Sequence, residues 1–369
     1  MTLRSFTQTT MVISVAAVAL AGQARAVNFQ AGDVEVSMYG YARLNMSYDF
    51  DANLGSGGTT GAASIGNVNT GDTQVPEGHF NADANQSRLG FNFALPNGIN
   101  AKIESDFVGG PRLRHAYGTY EGILAGQTWT NFTSFVGNTS TLDFNSTFGL
   151  AGFQARFTQL RYTTGGLSVS IEDPRTILAT GLPQKDGLPT LTARYEGKTD
   201  ALAYAVSGLV RQVAYDTGTD DDSAMGYAAF AAAKFSLSDS MTIQCALNYS
   251  DGATSYLYIS PGPDAFVDAS GSLETVSGYA GTLGLSINTA GGAFNIAYGT
   301  VMLDLDDGVN AGAIDPGTDD TRTNIFVNYQ WKPTTNLMYG VELGRFEVED
   351  QGGTDGDATR LLFAAQYNF

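Results

Sequence analysis

The chain has 369 residues and a formal charge of −18, from 37 acidic against 19 basic side chains, which excludes nucleic acid as its natural partner. Its single cysteine, Cys245, excludes an intrachain disulfide framework. With 45 glycines, 18 tyrosines and 21 phenylalanines against 10 prolines, the composition suits a large aromatic-rich sheet.

From the N-terminus, Arg4 precedes an apolar run over 11–22, and Ala24-Arg25-Ala26 follows. A charged start, an apolar run too short to span a bilayer and an A-x-A site predict a secretory signal peptide over 1–26, cleaved before Val27. The mature chain, 27–369, loses two arginines and no acid, so its charge falls from −18 by two to −20. No internal repeat divides it, and it reads as a single domain.

After the leader no stretch reaches the apolar length of a membrane helix, so whatever spans a membrane here does so with strands. Alternation punctuated by turn residues predicts sixteen. The first eight cover 34–50, 87–95, 101–108, 113–120, 123–132, 154–164, 167–173 and 190–196. The second eight cover 201–213, 225–237, 241–250, 276–288, 293–303, 323–331, 337–347 and 359–369. Short turns such as Asn97-Gly98, Glu121-Gly122 and Gly165-Gly166 alternate with mostly long, polar links at 51–86, 133–153, 176–188, 214–224, 251–275, 304–322 and 348–358; the link at 109–112 is the short exception. This predicts an all-β fold, a transmembrane antiparallel up-and-down β-barrel in the outer membrane of a Gram-negative bacterium, with turns periplasmic and long loops extracellular. The last nine residues agree. Leu361, Phe363, Ala365, Tyr367 and Phe369 share one lipid-facing side, and Tyr367 and Phe369 supply the terminal aromatic signal for the barrel-assembly machinery.

Register sorts the wall. In the first strand Val34, Val36, Met38, Ala42, Leu44 and Met46 point to lipid or a neighbouring subunit, leaving Glu35, Ser37, Tyr39, Tyr41, Arg43 and Asn45 for the lumen. The same test turns ten basic residues inward (Arg43, Arg88, Lys102, Arg112, Arg114, Arg161, Arg194, Arg211, Arg322 and Arg360) against six acids, Glu35, Glu104, Asp106, Glu172, Glu196 and Glu342. So many ionisable groups imply a water-filled lumen, and the excess of one sign predicts a path for small anions. Singly, each arginine could equally pair with an inward carboxylate.

The link at 133–153 stands where an inward-folded third loop would narrow a channel. Its only ionisable residue is Asp143, and Phe135, Phe144 and Phe148 would pack it on the wall. The acids near Asp216, Asp220 to Asp222, Asp304 to Asp320 and Glu347 to Asp357 read as exposed loops; none has the spacing of an EF-hand, and no metal or cofactor site is expected.

Leu113-Arg114-His115-Ala116-Tyr117-Gly118, followed by Leu124-Ala125-Gly126-Gln127-Thr128-Trp129-Thr130, resembles the diagnostic core of the DcaP-like porins. Tyr39-Gly40-Tyr41-Ala42-Arg43 and Gln86-Ser87-Arg88-Leu89-Gly90-Phe91 match that family's opening strands. The resemblance implies a homotrimeric, sixteen-stranded channel for small anions, dicarboxylates among them. It makes Arg43, Arg88, Arg112 and Arg114 pore-lining, leads Gly126 to Trp129 into the constriction loop, and places His115 and Tyr117 on the outer face as subunit contacts. Some relatives carry a coiled-coil extension before the barrel; here 27–33 alone precede the first strand, which leaves trimer stability to the barrel surfaces.

Rival readings are weaker. Glu104 with Asp106, or Asp143, offers carboxyl groups of the kind acid–base catalysis uses, but alternation sets Glu104 and Asp106 side by side on a cationic wall, which suits ion pairing. His79 falls in the first long loop and His115 outside the lumen, so no histidine site assembles and no enzyme is expected. A non-selective diffusion channel remains an alternative, as does a surface-binding barrel (adhesin or receptor) with a closed lumen. A plugged transporter lacks an N-terminal segment large enough to form the plug.

Overall fold

The computed structural model describes residues 26–55, 62–68, 70–71, 76–179 and 181–369. The leader expected over 1–26 lies outside the described residues except for its last position. Eighteen strand segments form one antiparallel sheet closed by pairing of Val34–Asp49 with Asp355–Asn368. One of the eighteen is a short N-terminal strand, Val27–Ala31, and two, His79–Asp83 and Arg88–Ala94, are halves of a single barrel strand paired in turn with Val34–Asp49. The barrel therefore has sixteen strands.

The first five barrel strands are Val34–Asp49, the two-piece second, Asn100–Asp106, Arg112–Tyr120 and Ile123–Trp129. Arg156–Thr164, Leu167–Glu172, Thr190–Lys198, Leu202–Asp216 and Asp221–Ser236 follow. Met241–Asp251, Ser277–Thr289, Gly292–Asp304, Asp319–Thr334, Leu337–Asp350 and Asp355–Asn368 complete the circuit. Alternation in sequence becomes alternation in space: Leu167, Val169 and Ile171 are exposed on the outside while Ser168, Ser170 and Glu172 are buried within. No helix among the described residues is long and apolar enough to cross a membrane. Closure of the ladder satisfies the backbone instead.

The seam shows how the ends are joined. The Gly40 amide donates to the Phe369 carbonyl and the Phe369 amide to the Gly40 carbonyl, both at 3.0 Å. Below this point Val27–Ala31 takes over the same edge of the first strand, from Val27 opposite Met38 to Ala31 opposite Val34. A Cβ at position 40 would lie 2.3 Å from the Arg88 carbonyl and 2.9 Å from Cζ of Phe369, so glycine lets the terminal ring lie against the first strand. Gly40→Val is expected to lower the yield of closed barrel sharply, read as loss of the compact, heat-modifiable band on unboiled gels; a wild-type yield would show that Phe369 does not need this seat.

The loops depart from expectation. Several strands run past their predicted ends, so Asp220 to Asp222 and Glu347 to Asp357 belong to strand ends and tight hairpin tips. The longer loops fold inward and carry a buried apolar core. Leu54 and Ile65 of the first loop, Phe148 of the third, Leu257 and Phe266 of the sixth and Ile314 of the seventh pack on Val301, Phe326 and Phe346 of the wall. Removing these side chains from water stabilises each by about 1.5 to 3 kcal/mol and packs the mouth over strands twelve to sixteen. The lumen over these strands is thus filled by protein.

Candidate functional site

Cross-strand register assembles a charged wall on strands one to four. Tyr41, Arg88, Asp106 and Arg112 lie in one row; Tyr39, Gly90, Glu104 and His115 form the next; Ser37, Asn92, Lys102 and Tyr117 form a third. Glu104 accepts from the Tyr39 hydroxyl at 2.7 Å and from Nε of Arg114 at 3.1 Å, with Arg88 and Lys102 each at 3.5 Å. Asp106 accepts a fork from Arg112 (2.9 and 2.7 Å) and a third bond from Arg114 at 2.6 Å. Four cations therefore surround two carboxylates, a surplus of two positive charges.

A β-bulge makes this crowding possible. The ladder pairs Glu104 with His115 but Ser105 with Leu113, which leaves Arg114 as the extra residue. Arg114 and His115 consequently both turn inward. His115 is buried, with Nδ1 2.9 Å from the Thr128 hydroxyl and its ring 5.6 Å from that of Trp129. Tyr117 lies opposite inward Lys102. The expectation that His115 and Tyr117 occupy the outer face is corrected: one inserted residue reverses the register beyond it, and strict alternation cannot detect it. On the other face Nε2 of Gln127 reaches the Leu113 carbonyl at 3.1 Å and the Arg114 carbonyl at 3.4 Å, covering groups the bulge frees from the ladder.

The third loop crosses in front of this wall. Asn131 donates its amide to Glu172 (2.6 Å) and Ser134 its hydroxyl to Glu196 (2.6 Å), anchoring the start. Two carboxamides then grip the backbone: Asn248 accepts from Gly152 N (2.8 Å) and donates to Gly149 O (3.0 Å), and Asn324 accepts from Phe148 N (3.0 Å) and donates to Ser146 O (3.2 Å). Gly149, at φ +65°, sits so close to the wall that a Cβ would lie 2.4 Å from Gly281 N. Both oxygens of buried Glu342 accept tip amides, from Leu142 N and Asp143 N, each at 2.7 Å, and Arg43 donates to Leu142 O at 2.6 Å. Phe144 is thereby set 5.3 Å from the Arg88 guanidinium and 5.4 Å from that of Arg114. Phe135 packs on Trp129 with centroids 5.2 Å apart, Phe148 is fully buried, and Asp143 is buried at the tip, accepting from Asn145 N at 2.9 Å.

The other arginines expected in the lumen divide into two kinds. Arg161, on Gln159 Oε1 at 2.8 Å and the Trp129 carbonyl, and Arg194, on the Thr133 carbonyl with Glu196 at 3.7 Å, stay on the inner wall and donate to the backbone where the third loop leaves it. Arg211, Arg322 and Arg360 are committed to loop architecture. Arg211 pairs with buried Asp264 at 3.1 Å, Arg322 donates twice to Asp319 (3.0 and 2.7 Å), and Arg360 forks onto Asp49 and reaches Gly55 O at 2.8 Å. Sequence position could not separate Arg211 from the constriction arginines, because Asp264 sits on a loop distant in the chain, whereas Arg322 is held by Asp319 on its own strand and Arg360 by Asp49 across the closing seam. Tyr39 and Tyr41 flank the site, the latter 5.4 Å from Arg88.

A sixteen-strand closed barrel with an inward third loop facing an arginine cluster matches known channels. The family model described as DcaP outer membrane protein matches residues 22–369. The chain belongs to this family. It is similar to the crystallised outer membrane channel DcaP of Acinetobacter baumannii, at 26% identity and a TM-score of 0.79, over 92% of this chain and 99% of that one. More distantly, the fold is shared with OmpT of Vibrio cholerae (11% identity, TM-score 0.58, 93% and 99% covered) and with an anion-selective porin from Comamonas acidovorans (11%, 0.56, 91% and 100%). No protein of curated function matches by sequence. As a DcaP family member the chain is an outer-membrane porin.

Within this DcaP family barrel, sequence reasoning missed Arg156 and Arg175. Arg156 has the parity of the lipid face when counted from Gln159, yet its guanidinium lies over the Trp129 ring at 4.8 Å beside Arg114. The signal lost here is strand length. The fifth strand ends at Trp129, and alternation ceases to assign faces at a strand's end.

Proposed function

We propose that the chain is a passive channel for small hydrophilic solutes that favours anions, dicarboxylates among them. The observation that carries this reading is the surplus of two positive charges around Glu104 and Asp106, set opposite a loop tip where Asp143 and the wall's Glu342 are both turned onto backbone amides. An anion meets Arg43 and Arg88 beside Phe144, with buried Arg114 adding its positive field from behind the ring.

The same reading makes the protein a homotrimer delivered through its C-terminal strand, with Tyr367 and Phe369 as the segment met by the assembly machinery. The subunit face passes from His115 and Tyr117 to the exposed Leu44, Ile103 and Leu113 on the same side of the barrel. Planar-bilayer recording of refolded protein tests both parts: conductance in steps of three, with saturable block by a titrated small dicarboxylate, is the expected result. Unblocked current at every dicarboxylate concentration would leave general diffusion. The packed loop core over half of the mouth favours a second reading, a surface-binding barrel, and silence from a folded, inserted protein would select it.

A further inference from the structure

Two arginines outside the constriction network share one rim of the barrel. Arg156 opens the sixth strand, and Arg175 follows the seventh, which ends at Glu172. The ladder pairs Gln159 with Glu172, and the Asp173 amide donates to Thr158 O at 2.9 Å, so Arg156 and Arg175 both lie just past these last pairs at the same end of the two strands. Like charges gathered at one end of a sheet repel unless something holds them. Neither guanidinium has a carboxylate partner among the described residues, and Glu172 is occupied by Asn131 N and the Ser170 hydroxyl, each at 2.6 Å, and by the Thr130 hydroxyl.

Both are instead laid over aromatic rings, Arg156 over Trp129 at 4.8 Å and Arg175 over Phe153 at 5.2 Å. Stacking holds a guanidinium in place while leaving its N–H edge to fork onto a planar oxyanion. Trp129 also lies 5.7 Å from the Arg114 guanidinium, so this pair stands on the loop side of the constriction and continuous with it. Arg156 is half-buried and Arg175 exposed, which grades the site from solvent inward. We propose that Arg156 and Arg175, on Trp129 and Phe153, form a carboxylate-capture site at the loop-side mouth that loads anions onto the constriction. This rests on the anion-channel reading and adds an entry step to it.

The test uses the full barrel and citrate as the probe. In bilayers, the double variant Arg156→Gln with Arg175→Gln should slow citrate association from the loop side about tenfold at low salt, with little change from the turn side. Lys198→Gln, an equal charge change per site at the turn end, should not. Independently of current, with Trp331→Phe leaving Trp129 as the sole tryptophan, citrate should change the fluorescence of detergent-folded protein saturably, and the double variant should abolish that change. A saturable signal in a channel with no anion preference would retain the capture site and remove the selectivity reading. Anion preference with neither signal nor association rate altered by the double variant would overturn the capture site and leave the channel reading standing.

Discussion

Glu342→Ala is expected to free the tip of the third loop and raise single-channel conductance while broadening the solutes admitted. Glu342 accepts the amides of Leu142 and Asp143 at 2.7 Å and a third bond from Asn328 Nδ2 at 2.9 Å, all buried. Hydrogen bonds to a charged group contribute about 1.5 to 3 kcal/mol each, so losing the two backbone bonds removes on the order of 3 to 6 kcal/mol of tethering. The consequence is local. Asn248 and Asn324 still clamp the descending half of the loop, and the barrel ladder is untouched, so the compact band on unboiled gels should persist. Glu342→Gln should fall between, because a carboxamide oxygen accepts but its NH2 cannot accept a second amide. Wild-type conductance in the alanine variant would show that the remaining contacts position the tip alone.

The second large effect concerns charge sign. Around the constriction Arg88, Lys102, Arg112 and Arg114 surround Glu104 and Asp106, and Arg43 holds the loop tip through the Leu142 carbonyl. Neutralising Arg43, Arg88, Arg112 and Arg114 together leaves Lys102 as the one cation paired with these two carboxylates, so the reversal potential should shift strongly toward the cation side. An unchanged reversal potential in this quadruple variant would sink the assignment. Stability should suffer unequally. Arg114 is fully buried and bonded to both acids, and breaking such a pair costs about 3 to 5 kcal/mol, whereas Arg112 is more than a third exposed and its loss should be mild. Arg114→Met alone should therefore lower the midpoint of thermal unfolding more than Arg112→Met.

Much of this was legible in the residues themselves. Period-two alternation with glycine-rich turns located sixteen strands, and the terminal aromatic marked the closing one, because lipid outside and polar groups inside impose the pattern on every strand. The inward direction of Arg43, Arg88, Arg112 and Arg114 followed from the same rule. What alternation could not supply was the inserted residue at Arg114, which turned His115 and Tyr117 inward, or the strand end that brought Arg156 onto Trp129. Nor could it tell that Arg211 holds a loop, since Asp264 reaches it only through inward folding; Arg360 meets Asp49 directly across the closing seam. The apolar residues of the long links, Leu54, Ile65, Phe266 and Ile314 among them, were the available sign that those links were not simply solvated. Four such side chains in otherwise polar loops need a dry partner.

A cationic wall facing a charge-quenched loop should make the pore prefer anions. The most direct test of that preference is the zero-current potential of the refolded wild-type protein in a planar bilayer across a KCl gradient. The expected potential lies on the chloride side and weakens as salt rises and the wall is screened. A potential on the potassium side at every salt concentration would contradict it.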